Sequence, residues 1–290
     1  MVDFSFIIVT YNSQHLIEEC ISSIFKYADI DKNLFEVIVV DNSNNENHLI
    51  LKDLISKRFQ DKIHLIHNSK NGGYGQGNNV GISASSGKFI CIMNPDVRCV
   101  EPILLRTNQF FEENKQYAML GFKQIGGANI SYYIKPEYKP SVGVSIITKL
   151  TNYLNVFSER KFYLSGAFFF VRRKDIEAIG LFDEKIFLYF EEPDIGNRLL
   201  AKHRRIKFDA SKKYVHLSGG RDFSEFSFRN EMKSLLYYID KFKFDRRKIE
   251  NNYRSEYKFN QVLFILFGKK QRAEKMKKEI EVMQDIFKNS

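Results

Sequence analysis

Five consecutive apolar residues, Phe89-Ile-Cys-Ile-Met93, are closed abruptly by Asn94-Pro95-Asp96, and this junction constrains the fold more than any other stretch. The run has strand length, is too short to cross a membrane, and is apolar on both faces, which suits the buried centre of a parallel sheet. Pro95 cannot donate to a sheet ladder and biases Asn94 away from helix. The chain therefore leaves the sheet here and sets Asn94 and Asp96 at its carboxyl edge, where open α/β sheets bind ligands. A carboxylate at that edge, downstream of a Gly-rich stretch, suggests a divalent cation bridging protein and phosphate, because hard cations take oxygen ligands. The same residues also fit a strand that ends in a proline turn with a solvated Asp.

The chain before this junction repeats the pattern. Phe4 to Val9 reads as a strand closing at Thr10, Tyr11 and Asn12, with Ser13 as an expected N-cap. Leu16, Ile17, Cys20, Ile21, Ile24 and Phe25 then recur at helical spacing, with Glu18 and Glu19 expected near the positive helix end. Phe35 to Val40 is a second strand, ending in Asp41-Asn-Ser-Asn44. A helix with Leu51, Leu54, Ile55 and Phe59 on one face follows, then a short strand over 62–66. This βαβαβ half predicts a parallel sheet with right-handed crossovers. Asn71-Gly-Gly-Tyr-Gly-Gln-Gly-Asn-Asn-Val-Gly81 comes next, five glycines in eleven residues. Glycines let backbone N–H groups approach an anion, and a helix start adds a favourable field, so a phosphate loop is expected, a tight turn being the alternative. No Gly-Lys-Ser/Thr ends it, and it opens the third crossover rather than the first, so it is neither a P-loop nor a dinucleotide fingerprint.

Beyond the junction, a helix over 102–114 and a strand over 118–122 are expected, then loops and short irregular pieces over 126–160. Tyr132, Tyr133 and Tyr138 in that stretch suit either packing or stacking on a sugar. Phe162 to Arg172 reads as one strand in which small Ser165, Gly166 and Ala167 mark a close approach to the backbone. A short helix over 174–179 stops at Gly180. In Glu191-Glu-Pro-Asp194 the proline fits a first helical turn, so three carboxylates crowd one helix N-terminus. Capping explains one of them. A strand over 205–208 precedes His216, which by itself reads as structural, and Phe228 to Phe242 is a further amphipathic helix.

The formal charge is +10, and residues 240–290 carry 14 Lys/Arg against 8 Asp/Glu, +6 of that total. Such a tail serves nucleic acid, an anionic membrane or a phosphate-bearing substrate. A nucleic-acid binder would interleave basic and aromatic residues around a reading motif, and none is present. Val262 to Phe267 followed by Gly268-Lys-Lys270 suits a segment in a membrane interface, or equally a small helical subdomain with a solvated basic face. No apolar stretch approaches 18 residues and no basic leader opens the chain, so neither a transmembrane helix nor a signal peptide is expected. Cys20, Cys91 and Cys99 lack metal-ligand spacing, and their odd count favours a reducing cytoplasm.

Taken in order, Val9-Thr-Tyr-Asn12, Val40-Asp-Asn-Ser43, Asn71-x-Gly-Tyr-Gly-x-Gly-Asn78, Met93-Asn-Pro-Asp96, Gly166-Ala-Phe, Gly180-Leu-Phe-Asp183 and Glu191-Glu-x-Asp194 resemble family 2 glycosyltransferases, the rhamnosyltransferase-like group in particular. The resemblance implies an α/β fold of GT-A type, a Rossmann-like, mostly parallel central sheet flanked by helices, over residues 1–245, with 246–290 as a basic amphipathic C-terminal helical extension. It implies inverting transfer from a nucleotide-diphosphate sugar, dTDP-rhamnose or a UDP-sugar, to a saccharide acceptor, polyprenyl-linked, in bacterial cell-surface polysaccharide synthesis. The enzyme would be cytoplasmic and peripheral on the inner face of the cell membrane. Thr10, Tyr11, Asn12 and Asp41 match the turns that hold base and ribose, and Asn71, Gly73, Tyr74, Gly75 and Asn78 lie near the nucleotide and diphosphate. Asp96 matches the metal-binding end of an Asp-x-Asp motif whose first Asp is replaced by Asn94, a hydrogen-bonding partner for ribose or sugar. His216 matches a second ligand for Mg²⁺ or Mn²⁺. Glu192 occupies the position of the general base, usually Asp, with Glu191 as its competitor, and Asp194 fixes the loop or binds acceptor hydroxyls. Arg221 and Arg229 suit either diphosphate neutralisation or solvated surface. The competing reading is a catalytically inactive nucleotide-sugar-binding module, or a nucleic-acid-binding module using the basic tail. A decayed relative would have lost Asp96 or the carboxylate cluster, and this chain keeps both.

Overall fold

The computed structural model describes residues 2–128, 130–217 and 223–289, without the Asp61 side chain. The apolar runs form the strands expected of them: β1 (Phe4–Thr10), β2 (Phe35–Asp41), β3 (Ile63–His67) and β4 (Phe89–Met93), joined by α1 (Gln14–Tyr27), α2 (Asn45–Phe59) and α3 (Gly73–Ser83). The four are parallel, and Thr10 pairs with Asp41, so β1 and β2 end level. The chain continues through β5 (Val97–Cys99), α4 (Leu104–Glu113), β6 (Tyr117–Ile125), β7 (Tyr132–Ile134), α5 (Val144–Tyr153), β8 (Phe162–Leu164) and β9 (Phe168–Arg172). It ends with α6 (Arg173–Ala178), α7 (Glu191–Ala201), β10 (Arg205–His216), α8 (Glu225–Phe242), α9 (Arg246–Leu266) and α10 (Lys270–Lys288).

Eight strands make one sheet in the order β3-β2-β1-β4-β9-β6-β10-β5. β9 runs antiparallel to both β4 and β6, and β5 antiparallel to β10. All five residues of β4 are buried, as a strand covered on both faces requires. Phe4, Phe89, Phe111 and Phe170 meet on one side of it, with Phe89 and Phe111 stacked at 4.9 Å. Cys20, Cys91 and Cys99 are buried free thiols, and burial holds all three above the ordinary thiol range.

Several local expectations are corrected. The Gly-rich stretch is not a loop but α3. A side chain at Gly77 would press on Val9 and one at Gly81 on Ile7, so these glycines let the helix lie close on β1. Ser13 sits at the N-cap position of α1, but its hydroxyl donates to Tyr11 O and does not cap. Glu18 and Glu19 fall beyond the first turn of α1 and pair with Arg58 and Arg98. The segment 126–160, expected to be irregular, contains α5. The run 162–172 is two strands, and 205–216 is one strand interrupted by an irregularity between Asp209 and Lys213.

The chain divides into two compact units, one of residues 1–131, 164–187 and 191–219, the other of 132–163, 188–190 and 220–290. The eight-stranded sheet belongs to the first. In the second, α8, α9 and α10 bury Met232, Leu235, Tyr253, Met283 and Phe287 in a core of their own. The C-terminal segment is therefore helical, as expected, and α8 clusters with it. Tyr132 is a packing residue here, its hydroxyl donating to Thr151 O and Val156 O, and Tyr133 stacks on Tyr163. Among the described residues, no helix is long and apolar enough to cross a membrane.

Candidate active site at the carboxyl edge of the sheet

The level ends of β1 and β2 put two polar turns side by side. Asp41 is fully buried, and its Oδ1 accepts from Ser43 N at 3.0 Å while Oδ2 lies 2.9 Å from His48 Nδ1. Asn12, in the left-handed region at φ 52°, donates its N–H to Ser43 Oγ at 2.8 Å, and its Oδ1 accepts from Asn47. Tyr11 is 56% exposed, a ring available for stacking. Thr10 Oγ1 is buried with no hydrogen-bond partner among the described residues, and a buried hydroxyl in that state marks a place where a ligand or water belongs. Asn71 joins this edge through Asn42, whose Nδ2 donates to Asn71 Oδ1 at 3.3 Å and to Gly73 O at 3.2 Å. Sequence reasoning missed Asn42, Asn68 and two histidines. His67 reaches Ser43 O, and its ring stacks on that of His48 with centroids 3.9 Å apart. The usable signal for His67 was its place at the carboxyl end of the third strand.

Asp96 leaves β4 through a braced turn. Arg98 Nη1 donates to Pro95 O at 2.8 Å and its Nη2 to Leu16 O at 3.0 Å, and the Asn94 N–H donates to Ala167 O at 2.8 Å. Opposite stands His216 at the end of β10, with Nε2 3.2 Å from Asp96 Oδ1. His216 Nδ1 lies 3.2 Å from Gln124 Oε1, which also accepts from the Tyr214 hydroxyl. A carbonyl oxygen at Nδ1 selects the tautomer with its proton there, assigned from the network, and turns the Nε2 lone pair toward Asp96. A lone pair facing a carboxylate is satisfied by protonating the imidazole or by a cation held between them. The carboxylate and imidazole fit a divalent metal, and carbonyl-fixed histidine is the usual support of a metal ligand. Among the described residues no group of three His, Cys, Asp or Glu side chains could hold an ion. The remaining positions would fall to phosphate oxygens and water, the pattern of metals that bridge protein to a nucleotide.

The second acidic cluster opens α7, with Pro193 in its first turn as expected. Its three carboxylates have three different environments. Asp194 is clamped by Arg198, 2.8 Å from Nε and 2.5 Å from Nη2, and the same guanidinium donates to Ile179 O and Leu181 O. Both contacts fall on Oδ2, and through the guanidinium they tie the first turn of α7 to the 179–181 loop. Glu191 is 2% exposed, and burial, then the charges of Glu192 and Asp194, hold its carboxyl well above the ordinary range. Glu192 is only partly buried, and desolvation raises it to about 7. A Cβ at Gly166 would fall 1.6 Å from Glu192 Oε1. The close approach marked by Ser165-Gly166-Ala167 is thus the approach of this carboxylate.

Tyr74 connects the two clusters. Its hydroxyl donates to Gly166 O at 2.7 Å, and it is raised well above the usual phenol range by burial and then by the charges of Glu192, Glu191 and Asp96 together. The 94–96 turn reaches the same place, since Asn94 N donates to Ala167 O beside Gly166. Asn78, also fully buried, donates to Tyr74 O at 3.0 Å and supports that ring. Gly75 packs on Phe182 and Gly73 on Phe187 O, whose oxygen accepts from Tyr74 N. Both glycines are thus positions of close packing. A Cβ at Gly73, where φ is +92°, would lie 2.1 Å from Phe187 O, a backbone atom that cannot rotate away. Gly73→Ala should cost about 1–3 kcal/mol, read as a lowered urea midpoint at unchanged m-value; an unchanged midpoint would refute this contact. Arg229 lies in the second unit, paired with Glu225 and Asp285. Arg221 falls outside the described residues.

The chain is similar to known proteins in sequence and in fold. Residues 5–180 match the model of glycosyl transferase family 2. A poly(ribitol-phosphate) beta-glucosyltransferase of Bacillus spizizenii is 28% identical over 139 residues, 48% of this chain and 22% of the relative. The chain spans about a quarter of the length of the curated relatives it matches first. Staphylococcus aureus TarS 1-349 in complex with UDP-GlcNAc superposes with a TM-score of 0.53 at 18% identity, over 91% of this chain and 73% of that one. Mannosyltransferase PcManGT from Pyrobaculum calidifontis, in complex with GDP-Man and Mn²⁺, gives 0.59 at 13% identity, over 82% and 63%. The fold is that of GT-A glycosyltransferases. Since the family model covers well over half of the sequence and takes in both edge turns, Tyr74 and Asp96, the chain belongs to glycosyl transferase family 2.

Proposed function

We propose that this chain transfers a sugar from a UDP- or dTDP-linked donor, with inversion at the anomeric carbon, to a hydroxyl of a cell-surface polymer or of its lipid-linked precursor. The observation that carries it is that both carboxylate clusters border the 166–167 turn, where Asn94 N donates to Ala167 O, Glu192 lies against Gly166 and Tyr74 donates to Gly166 O: one cluster faces His216 in a metal-suited pair, and the other holds a carboxylate raised to about 7. Thr10, Tyr11, Asn12 and Asp41 bind base and ribose, Asn71 supports their edge, and Asn94 meets ribose or sugar. Asp96 and His216 would hold the diphosphate's cation, and the imidazole donor would favour Mn²⁺ over Mg²⁺. That ion, when bound, neutralises charge that collects on the departing diphosphate. Glu192 takes the proton from the acceptor hydroxyl as its oxygen attacks the anomeric carbon. The bond from that carbon to phosphate oxygen breaks, and the nucleoside diphosphate leaves with the electron pair. Support for a UDP donor and a polyol-phosphate polymer acceptor comes from the relatives, one named for poly(ribitol-phosphate) and one captured with UDP-GlcNAc.

Thermal melting tests the reading directly. UDP together with Mn²⁺ should raise Tm by several degrees, about 2.7 kcal/mol at a hundredfold excess over Kd, while either alone should do far less. A screen of UDP- and dTDP-sugars for metal-dependent nucleotide release then identifies the donor. Absence of stabilisation by any nucleoside diphosphate with metal would overturn the proposal.

A further inference from the structure

The second unit carries an amphipathic helix turned inside out. On α5, Ile146, Ile147, Leu150, Tyr153 and Leu154 are 40–80% exposed, and their spacing places them on one helical face. The buried residues of the same helix are polar, Thr148 and Asn152. Asn152 is tied down on both amide atoms, Nδ2 donating to Tyr132 O at 2.9 Å and Oδ1 accepting from Tyr132 N at 3.3 Å. A helix at a water-facing surface buries its apolar stripe; this one anchors its polar side and offers the apolar side outward. Contiguous exposed apolar surface of this kind marks an interaction site.

A second apolar segment lies against it. Val262, Ile265, Leu266 and Phe267, at the end of α9, are 53–74% exposed, and a groove is lined by Ile146 and Lys149 from α5 and by Leu263, Phe264, Phe267 and Arg272 across it. The charged side chains that line this groove, Lys149, Lys269 and Arg272, have one sign, and the nearest carboxylates in sequence, Glu256 and Glu274, lie outside its lining. Residues 140–158 contain Lys149 as their only charged side chain, and residues 257–273 contain Lys258, Lys269, Lys270 and Arg272 with no Asp or Glu. A second copy of the chain meeting this face would set those cations against their own counterparts, which is repulsive. An anionic bilayer matches both properties, acyl boundary for the apolar stripe and headgroups for the cations. No helix among the described residues can span such a bilayer, so the contact lies in the interface plane.

We propose that α5 and the α9–α10 corner form a docking surface for anionic lipid membrane. It is independent of the transferase reading, although it would hold such an enzyme where lipid-linked acceptors are presented. Vesicle flotation with the full chain tests it. Phosphatidylcholine vesicles containing phosphatidylglycerol should carry the protein up, pure phosphatidylcholine should do so weakly, and flotation should fall with added salt. Replacing Lys149, Lys269 and Lys270 by Ser should lower partitioning about fivefold per cation, about a hundredfold in all. Leu150→Glu combined with Phe267→Glu should abolish flotation, while Asp96→Asn, a substitution in the first unit remote in sequence from this surface, should float like the parent. The lipid and salt dependence of the parent protein needs no variant to fold. Flotation equal on neutral and anionic vesicles, or unchanged in both surface variants, would overturn the proposal. So would a dimer in sedimentation velocity that dissociates in the Leu150→Glu, Phe267→Glu variant without any flotation, since that assigns the surface to a second copy.

Discussion

Glu192→Gln should lower kcat about a thousandfold, within the range that removal of a positioned general base produces, while the stabilisation by UDP and Mn²⁺ persists. Gln keeps the shape beside Gly166 but cannot accept the acceptor's proton. The pH profile separates this from a structural effect. With Glu192 raised to about 7 by burial, kcat/KM should fall tenfold per unit below that point, and the residual activity of the variant should lose this limb. Stability moves the opposite way. Because the folded state favours the protonated carboxyl, it binds more protons than the unfolded chain between 4.5 and about 7, so this group's contribution to stability is fully present below 4.5 and is lost as pH rises through 7. Gln removes that decline, and the variant should melt higher than the parent above pH 7. Glu191 has the same sign but is buried and sits beside two other carboxylates, so its protonated form is favoured more strongly. A Glu191→Gln variant with the larger loss of kcat would reverse the assignment.

Much of the sheet was legible because β1, β2 and β4 are each a compact apolar run closed by a polar turn, and burial on both faces leaves a parallel centre as their natural place. What sequence hid was decided by tertiary contact. Glycine is a poor helix former, so α3 reads as a loop until Val9, Ile7 and Phe182 are seen filling the space where its side chains would stand. α5 was missed although Ile146, Ile147, Leu150, Tyr153 and Leu154 recur at helical spacing, because Pro136, Pro140 and the polar residues around it read as loop. The carboxylates of 191–194 were legible, and so was a loop-fixing place for Asp194, but the contacts behind it were not. Spacing alone allows Asp194 to meet Arg198 one turn later, yet only the carbonyls of Ile179 and Leu181 around that guanidinium show it to be a clamp. His216 carried little weight by itself and gains its meaning from Gln124 on a neighbouring strand, ninety-two residues away in sequence.

Asp96→Asn should abolish the metal-dependent part of UDP stabilisation and lower kcat about a thousandfold or more, a loss of several kcal/mol of leaving-group stabilisation. Asn fits the braced turn as Asp does: Arg98 donates to Pro95 O and Val97 O, not to the side chain at 96, and Leu217 N donates to the backbone oxygen of Asp96. The substitution therefore removes charge while the fold stays. Near His216 Nε2, now 3.2 Å from Oδ1, the neutral amide can hydrogen-bond the imidazole, which satisfies the pair internally and leaves no anionic donor for a cation. UDP alone should bind as it does to the parent protein, because the substitution leaves untouched Thr10, Tyr11, Asn12 and Asp41, the residues proposed above for base and ribose. His216→Gln, which keeps Asp96 charged, should fall between the two, weakening Mn²⁺ more than Mg²⁺ because imidazole is the donor that distinguishes them. Calorimetric titration of UDP with each metal reads both effects in one series. If the Asp96→Asn protein retained parent-like metal dependence, the cation would have to be held elsewhere, and the pairing of Asp96 with His216 would be a structural ion pair closing the end of β10.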